Sequence, residues 1–266
     1  MGGILLQRSY CTSALIVSIK EQSENNCTVT LLTEDSGIIY VTLYGGHKSR
    51  LRSLVNQWNS GKIWLYTNPE KNQTKINDFE VLSYHSSFAQ NLFKLYAANL
   101  VSEIAIKTKC AGSVQKCFKL ITGFLDGMEL CDEEQSRVGL IRFLWRYIEL
   151  MGVIPDASCC SECGKSFISE QFTAPGISYY NNFTNSFICS DCYKNLNTET
   201  TKINFFNIKR EGLIYLSAIT VLQPSEVRKL QIDKQAYDQI KQIIFILLEK
   251  NIESKLNSIE TGVGIL

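Results

Sequence analysis

The sequence predicts an α+β multidomain chain. An N-terminal OB-like β-barrel is followed by an all-helical domain that carries a four-cysteine zinc-finger insert. Three observations carry this prediction. Five short runs rich in β-branched residues, separated by turn residues, occupy the stretch before residue 84. After Tyr84 the apolar residues recur at helical spacing, and no proline interrupts them before Pro155. Four cysteines then follow with the spacing C-x2-C-x25-C-x2-C, from Cys160 to Cys192.

The runs are residues 12–20, 27–34, 38–44, 62–67 and 74–83. Period-two alternation and β-branched content mark them as strands. Asp35-Ser36-Gly37 and Asn68-Pro69-Glu70 are turn chemistry. Five short strands in about eighty residues fit a small closed or nearly closed barrel of the OB type, and an SH3-like barrel gives much the same pattern. From Ser36 to Pro69 there is no Asp or Glu, whereas Lys48, Arg50, Arg52 and Lys62 are present with Tyr40, Tyr44, Trp58, Trp64 and Tyr66. Cations beside aromatic rings suit a nucleic-acid strand: the cations meet phosphates, and the rings offer π-faces to bases. Strands also use Tyr and Trp as core residues, so most of these aromatics are expected inside the barrel.

Phe88, Leu92, Leu95 and Tyr96 open a helix predicted over 84–109, and a second covers 114–126. Asp132-Glu133-Glu134 begins a third, where acidic residues complement the helix dipole. Its stripe of Val138, Ile141, Leu144, Trp145, Ile148 and Met151 faces a core. Gly152 and Pro155 end it. Residues 193–207 read as a connector, helices resume at 210–222, and Asp233 caps a last long helix bearing Ile240, Ile243, Ile244, Leu247 and Leu248. The tail 261–266 is expected to fray. The domains are therefore expected at 1–83 (barrel), 84–158 (first helical part), 159–192 (zinc insert) and 193–266 (second helical part).

Two CxxC loops, each bringing two sulfurs to one side of an ion, complete a tetrahedron of thiolates. Cys160, Cys163, Cys189 and Cys192 are thus candidate ligands for a structural Zn²⁺ with no open coordination position. Cys159 could replace Cys160 in that shell. Net charge is +1 with His47 and His85 as the only histidines, and both histidines are expected at the surface or in loops. There is no phosphate-binding glycine loop, no HExxH and no nucleophile elbow. Asp132-Glu133-Glu134 is the one acidic cluster and reads as a helix start, so no catalytic residue is expected. No apolar run is long enough to span a membrane, and the N-terminus lacks a signal-peptide pattern.

The order of these parts resembles the bacterial RecO family. Leu31-Leu32-Thr33-Glu34-Asp35-Ser36-Gly37 looks like the family's hairpin. Gly45-Gly46-His47-Lys48-Ser49-Arg50-Leu51-Arg52 looks like its basic segment. Leu150-Met151-Gly152-Val153-Ile154-Pro155-Asp156 looks like its helix end, and Cys160-Ser161-Glu162-Cys163-Gly164 looks like its CxxCG. The resemblance implies a non-enzymatic recombination mediator in DNA repair, cytoplasmic and nucleoid-associated. Such a protein binds single- and double-stranded DNA and anneals complementary strands. With RecR, and in some bacteria RecF, it helps load RecA on single strands coated by single-strand binding protein. A C-terminal peptide of that protein is an expected second ligand. Lys48, Arg50 and Arg52, and more weakly Lys62, are the expected phosphate contacts. The competing expectation is a zinc-containing protein-interaction scaffold without direct DNA annealing.

Overall fold

Alternating apolar residues close the first part of the chain on itself. In a computed structural model, which describes residues 8–46, 49–110, 112–169, 176–196 and 204–266, five strands form a closed barrel in the order β1-β2-β3-β5-β4. They are β1 (Ser9–Ser23), β2 (Asn26–Thr33), β3 (Gly37–Tyr44), β4 (Ser60–Asn68) and β5 (Gln73–Ser83). β1 is long enough to pair with both β2 and β4, and a register shift between Ile16 and Ser18 lets it bend from one partner to the other. β3 meets β5 in parallel at Thr42↔Lys75. This order, with a short helix α1 (Arg50–Leu54) between β3 and β4, is the OB arrangement.

The barrel interior is filled by small and aliphatic residues, among them Ala14, Ile16, Val29, Leu31, Val41, Leu43, Ile63 and Leu65, with Phe79 the one aromatic of that cluster. Gly61 sits where β4 presses on β5: a Cβ there would lie 2.0 Å from the Glu80 carbonyl oxygen.

The chain divides into two compact units, Met1–Arg137 with Leu256–Leu266, and Val138–Lys255. In the first, the predicted helix over 84–109 is two pieces. A 3-10 turn (Ser86–Gln90) precedes α2 (Leu92–Thr108), because Asn91 caps α2 with its side chain accepting from the Lys94 N–H at 2.9 Å. α3 (Val114–Leu130) runs one turn beyond its expected end, and α4 (Glu133–Leu150) begins at the acidic cluster as expected. Within that cluster Asp132 accepts from the Gln135 N–H at 2.8 Å, and Glu133 pairs with Arg137.

His85 is buried, not at the surface. Its Nδ1 lies 2.7 Å from the Trp58 carbonyl oxygen and its Nε2 lies 2.9 Å from Asp126 Oδ1. The ring thereby ties the barrel loop to α3. The Trp58 indole is buried as well and donates to Ser102 at 3.1 Å.

In the second unit, Leu140, Ile141, Leu144, Trp145 and Ile148 of α4 are buried, as are Ile240, Ile243, Ile244, Leu247 and Leu248 of α8 (Lys234–Ile252). Between them in sequence come β6 (Ile177–Asn181), β7 (Ser186–Ile188), the short helix α5 (Ser190–Lys194), β8 (Phe205–Lys209), α6 (Arg210–Val221) and α7 (Pro224–Val227). The expected connector 193–207 contains the start of β8, which pairs along β6 in a sheet of order β7-β6-β8. Among the described residues no helix is long and apolar enough to cross a membrane.

The tail does not fray. A last turn of helix, α9 (Asn257–Thr261), packs within the first unit, with Leu256 and Leu266 buried. Glu103 on α2 accepts from the N–H groups of Asn257 (2.9 Å) and Ser258 (2.8 Å), which satisfies the open end of α9. Arg137 donates to the Ile265 carbonyl at 2.7 Å. Burial pushes the Glu103 carboxyl up, but hydrogen bonds from Ser258, Lys107 and Asn257 outweigh it and leave the group below its usual value. A depressed carboxylate stabilises the fold above its unfolded value and loses that contribution as pH falls through the folded one. Acidification below about pH 4.5 is therefore expected to release α9 before the barrel melts. Hydrogen exchange of the 256–266 amides, compared between wild type and Glu103→Gln, checks this. The Gln variant is expected to show faster exchange at neutral pH and a flatter pH profile.

Candidate nucleic-acid interface and metal centre

Because aliphatic residues fill the barrel, its tyrosines are forced outward. Tyr40, Tyr44 and Trp64 are exposed and Tyr66 is half-buried; of the five aromatics between Ser36 and Pro69, Trp58 is the one that lies in a core. The expectation that most of them fill the barrel is thus corrected. Strand alternation places them on the outer face, opposite Val41, Leu43, Ile63 and Leu65.

The basic candidates are not equivalent. Lys48 lies outside the described residues. Arg50 is exposed at the start of α1 and makes no ion pair among the described residues. Arg52, two residues on and on the other side of the helix, is held internally. Its guanidinium donates to Glu21 Oε1 (2.8 Å), the Gly45 carbonyl (3.2 Å) and the Glu24 carbonyl (3.3 Å), and its side chain is only 14% exposed. Arg52 therefore fixes α1 to the β1–β2 hairpin. Lys62 is exposed on β4 and sits directly across the ladder from Glu80, which is also exposed.

The four cysteines of the spaced motif converge. The sulfurs of Cys160, Cys163, Cys189 and Cys192 all lie within 4.8 Å of one another, with Cys163 and Cys189 at 3.8 Å. A tetrahedron of thiolates around zinc has sulfur–sulfur edges of about 3.8 Å, so the set fits that ion. Each CxxC is positioned by its own turn. Gly164, at φ +70°, lets its N–H reach back to the Cys160 carbonyl at 2.9 Å. Cys189 precedes α5, and β7 places Phe187 so that its carbonyl accepts from the Ser161 N–H at 2.9 Å.

Burial alone pushes the Cys160 thiol up. The backbone N–H groups of Cys163, Cys189 and Glu162 overcome this and bring it down to about 7. Burial, followed by its thiol neighbours, raises Cys192, and burial raises Cys189. Cys159 stands apart: its thiol donates to Asp156 Oδ2 at 3.2 Å, and it is not one of the converging four. Around the cluster, Phe167, Tyr180 and Phe187 are fully buried, and Tyr179 stacks on Tyr193 at 3.6 Å between ring centroids.

One further group is not apparent in the sequence. Arg142 and Arg146 on α4, half-buried, lie with Tyr215 of α6 and with Arg228, which follows α7, in the second unit. Burial lowers Arg146, and the positive charges of Arg142 and Arg228 add to that, with Glu149 offsetting part of it. None of the three arginines makes an ion pair among the described residues. The Tyr215 hydroxyl is buried, with the Arg142 guanidinium beside it. Burial pushes it up, and Arg142 and Arg146 offset part of that. Half-buried guanidinium groups that Glu149 offsets only in part, beside a tyrosine hydroxyl, suit an anion.

A model of the family described as Recombination protein O C terminal matches residues 89–260. Relatives named DNA repair protein RecO match as well. The one from Syntrophobacter fumaroxidans is 25% identical over 159 residues, covering 59% of this chain and 63% of the relative. The one from Caldanaerobacter subterraneus is 26% identical over 211 residues, covering 77% and 78%. The one from Nostoc punctiforme is 24% identical over 201 residues, covering 73% and 66%. The chain spans a little under two thirds of the length of the first and third of these relatives. The family model runs from the first-unit helices through the cysteine cluster to the docked C-terminal helix, and the chain belongs to the RecO family.

Proposed function

We propose that this chain is a recombination mediator in DNA repair. It binds single- and double-stranded DNA and anneals complementary strands. With RecR, and in some bacteria RecF, it helps load RecA on strands coated by single-strand binding protein. It works in the cytoplasm at the nucleoid and breaks no bonds. The observation that carries this reading is the stretch from Ser36 to Pro69, which holds no carboxylate of its own and in which Arg50 on α1, Lys62 on β4, Tyr40, Tyr44 and Trp64 are exposed. Cations there neutralise phosphates on two strands and so lower the repulsion that opposes pairing. The relatives' printed name, DNA repair protein, supports the same reading.

Zinc is the ion we assign to the four cysteines. It would hold together a small module whose sheet is three short strands. The arginine cluster with Tyr215 is the proposed seat of the C-terminal peptide of single-strand binding protein, whose terminal carboxylate is the anion.

The annealing rate of two labelled complementary strands, measured across a salt series, tests the main reading. The protein is expected to accelerate annealing at low salt, with the effect fading as salt rises. The double substitution Arg50→Ala, Lys62→Ala is expected to weaken single-strand binding alike for all sequences and to lower the salt slope by about 1.4. No acceleration by folded protein at low salt would instead favour the zinc-containing scaffold.

For the metal, Cys160→Ser is expected to lose zinc, read by elemental analysis, and to melt at lower temperature. Cys159→Ser is expected to retain both zinc and stability. Equal loss in the two variants would return Cys159 to the shell. For the peptide, Arg142→Ala with Arg146→Ala is expected to reduce binding at least tenfold, roughly the loss of one charge-assisted contact, by fluorescence anisotropy. Unchanged binding would move the seat elsewhere.

A further inference from the structure

The acidic cluster that opens α4 lies where the first unit leaves large apolar side chains in water. Leu130 ends α3 and is 88% exposed, and Leu92 opens α2 and is 57% exposed. Leu82 near the end of β5 and Tyr84 just beyond it are exposed as well.

Hydrogen bonds gather these positions. His85 Nε2 lies 2.9 Å from Asp126, which stands one turn before Leu130 on the same face of α3. The chain at Tyr84 therefore passes beside that turn. Ser87 donates twice to the Glu129 carboxylate, from its N–H at 3.2 Å and from its hydroxyl at 2.7 Å. Asn91 Nδ2 donates to Glu133 at 2.9 Å, and Lys94 Nζ donates to the Cys131 carbonyl at 2.7 Å. Leu92 lies between those two donors in the chain, so it stands with Leu130 at the corner between α3 and α4.

The corner is acidic. Residues 82–94 and 126–137 carry Asp126, Glu129, Asp132, Glu133 and Glu134 against Lys94 and Arg137. Both cations are engaged. Lys94 is buried on the Cys131 carbonyl, and Arg137 pairs with Glu133 at 2.7 Å and lies over the Phe93 ring. Neutral donors hold Glu129 and Asp132 in place without cancelling their charge: Ser87 for the first, the Gln135 N–H for the second. Glu134 is exposed and makes no ion pair among the described residues.

We propose that this corner docks a basic amphipathic segment of a partner protein, with apolar side chains against Leu92 and Leu130 and cations against Asp132 and Glu134. Exposed apolar side chains rimmed by charge mark a protein interface. The sign of the rim selects the occupant: it steers a cationic segment in and repels phosphate backbones and anionic lipid alike. The bonds from Ser87, Asn91 and Lys94 fix the corner before a partner arrives, so little ordering cost falls on binding. The arginine cluster of the second unit has the opposite sign. The two sites therefore sort protein partners by charge. This inference stands apart from the DNA-binding reading and survives its failure.

The test is the affinity of the full chain for a synthetic amphipathic helix, leucine along one face and lysine along the other, by fluorescence anisotropy. Leu92→Ser with Leu130→Ser is expected to weaken binding about tenfold, the loss of two apolar anchors. Both side chains are exposed, so thermal unfolding of that variant should match wild type. Glu134→Lys alone is expected to weaken binding about threefold, the worth of one rim charge. That difference should shrink as salt rises. The same helix with glutamate in place of lysine is drawn to the arginine cluster, so its affinity should not respond to any of these substitutions. Failure of the lysine helix to bind, an affinity unchanged in the leucine variant, or an equal fall for both helices overturns the proposal. Should the leucine variant unfold early, Glu134→Lys carries the test, and an affinity unchanged at low salt overturns the proposal in the same way.

Discussion

A five-stranded barrel encloses so little space that its inner face admits little besides aliphatic side chains. That constraint organises the N-terminal half of this protein. Ile16, Val29, Leu31, Val41, Leu43, Ile63 and Leu65 take the interior, Phe79 is the one large ring among that cluster, and strand alternation sends the neighbouring residues outward. Tyrosines that composition alone assigns to a core end on the surface, where they stand among cations. The chemistry of the outer face thus follows from the volume of the inner one.

Much of this was legible in the sequence. Five β-branched runs with turn residues between them marked the strands, and Asp35-Ser36-Gly37 and Asn68-Pro69-Glu70 marked two of the turns. The spacing of Asp132, Gly152 and Pro155 bracketed α4. What was not legible depended on partners distant in the chain. His85 looks like a loop residue until the Trp58 carbonyl and Asp126 are found on either side of its ring. Asn91 hides inside an apolar helical pattern, yet its cap divides that pattern in two. β8 is short, and it becomes a strand because β6 offers it an edge. The arginine cluster needs α4 and α6 side by side, and neither periodicity nor motif announces it.

The cysteine motif shows the same division between spacing and placement. Spacing identified two CxxC loops but left Cys159 and Cys160 as alternatives. Backbone direction separates them: the Cys160 sulfur turns toward its three partners and accepts from the Cys189 N–H at 3.3 Å, while the Cys159 thiol turns to Asp156. The basic segment divides likewise. Arg50 and Arg52 differ by two positions in the sequence, yet one side chain faces solvent and the other locks α1 onto the hairpin.

The docking of α9 against α2 bears on how the protein is made. Glu103 finds its hydrogen-bond partners 154 and 155 residues later in the chain. During synthesis the barrel can close as soon as β5 leaves the ribosome, since all of its strands are then present. α2 has to wait, its Glu103 carboxylate paired with Lys107 alone, while the entire second unit is translated. The first unit is therefore begun first and finished last, and a ribosome that stalls within the second unit leaves behind a closed barrel beside an incomplete helical layer.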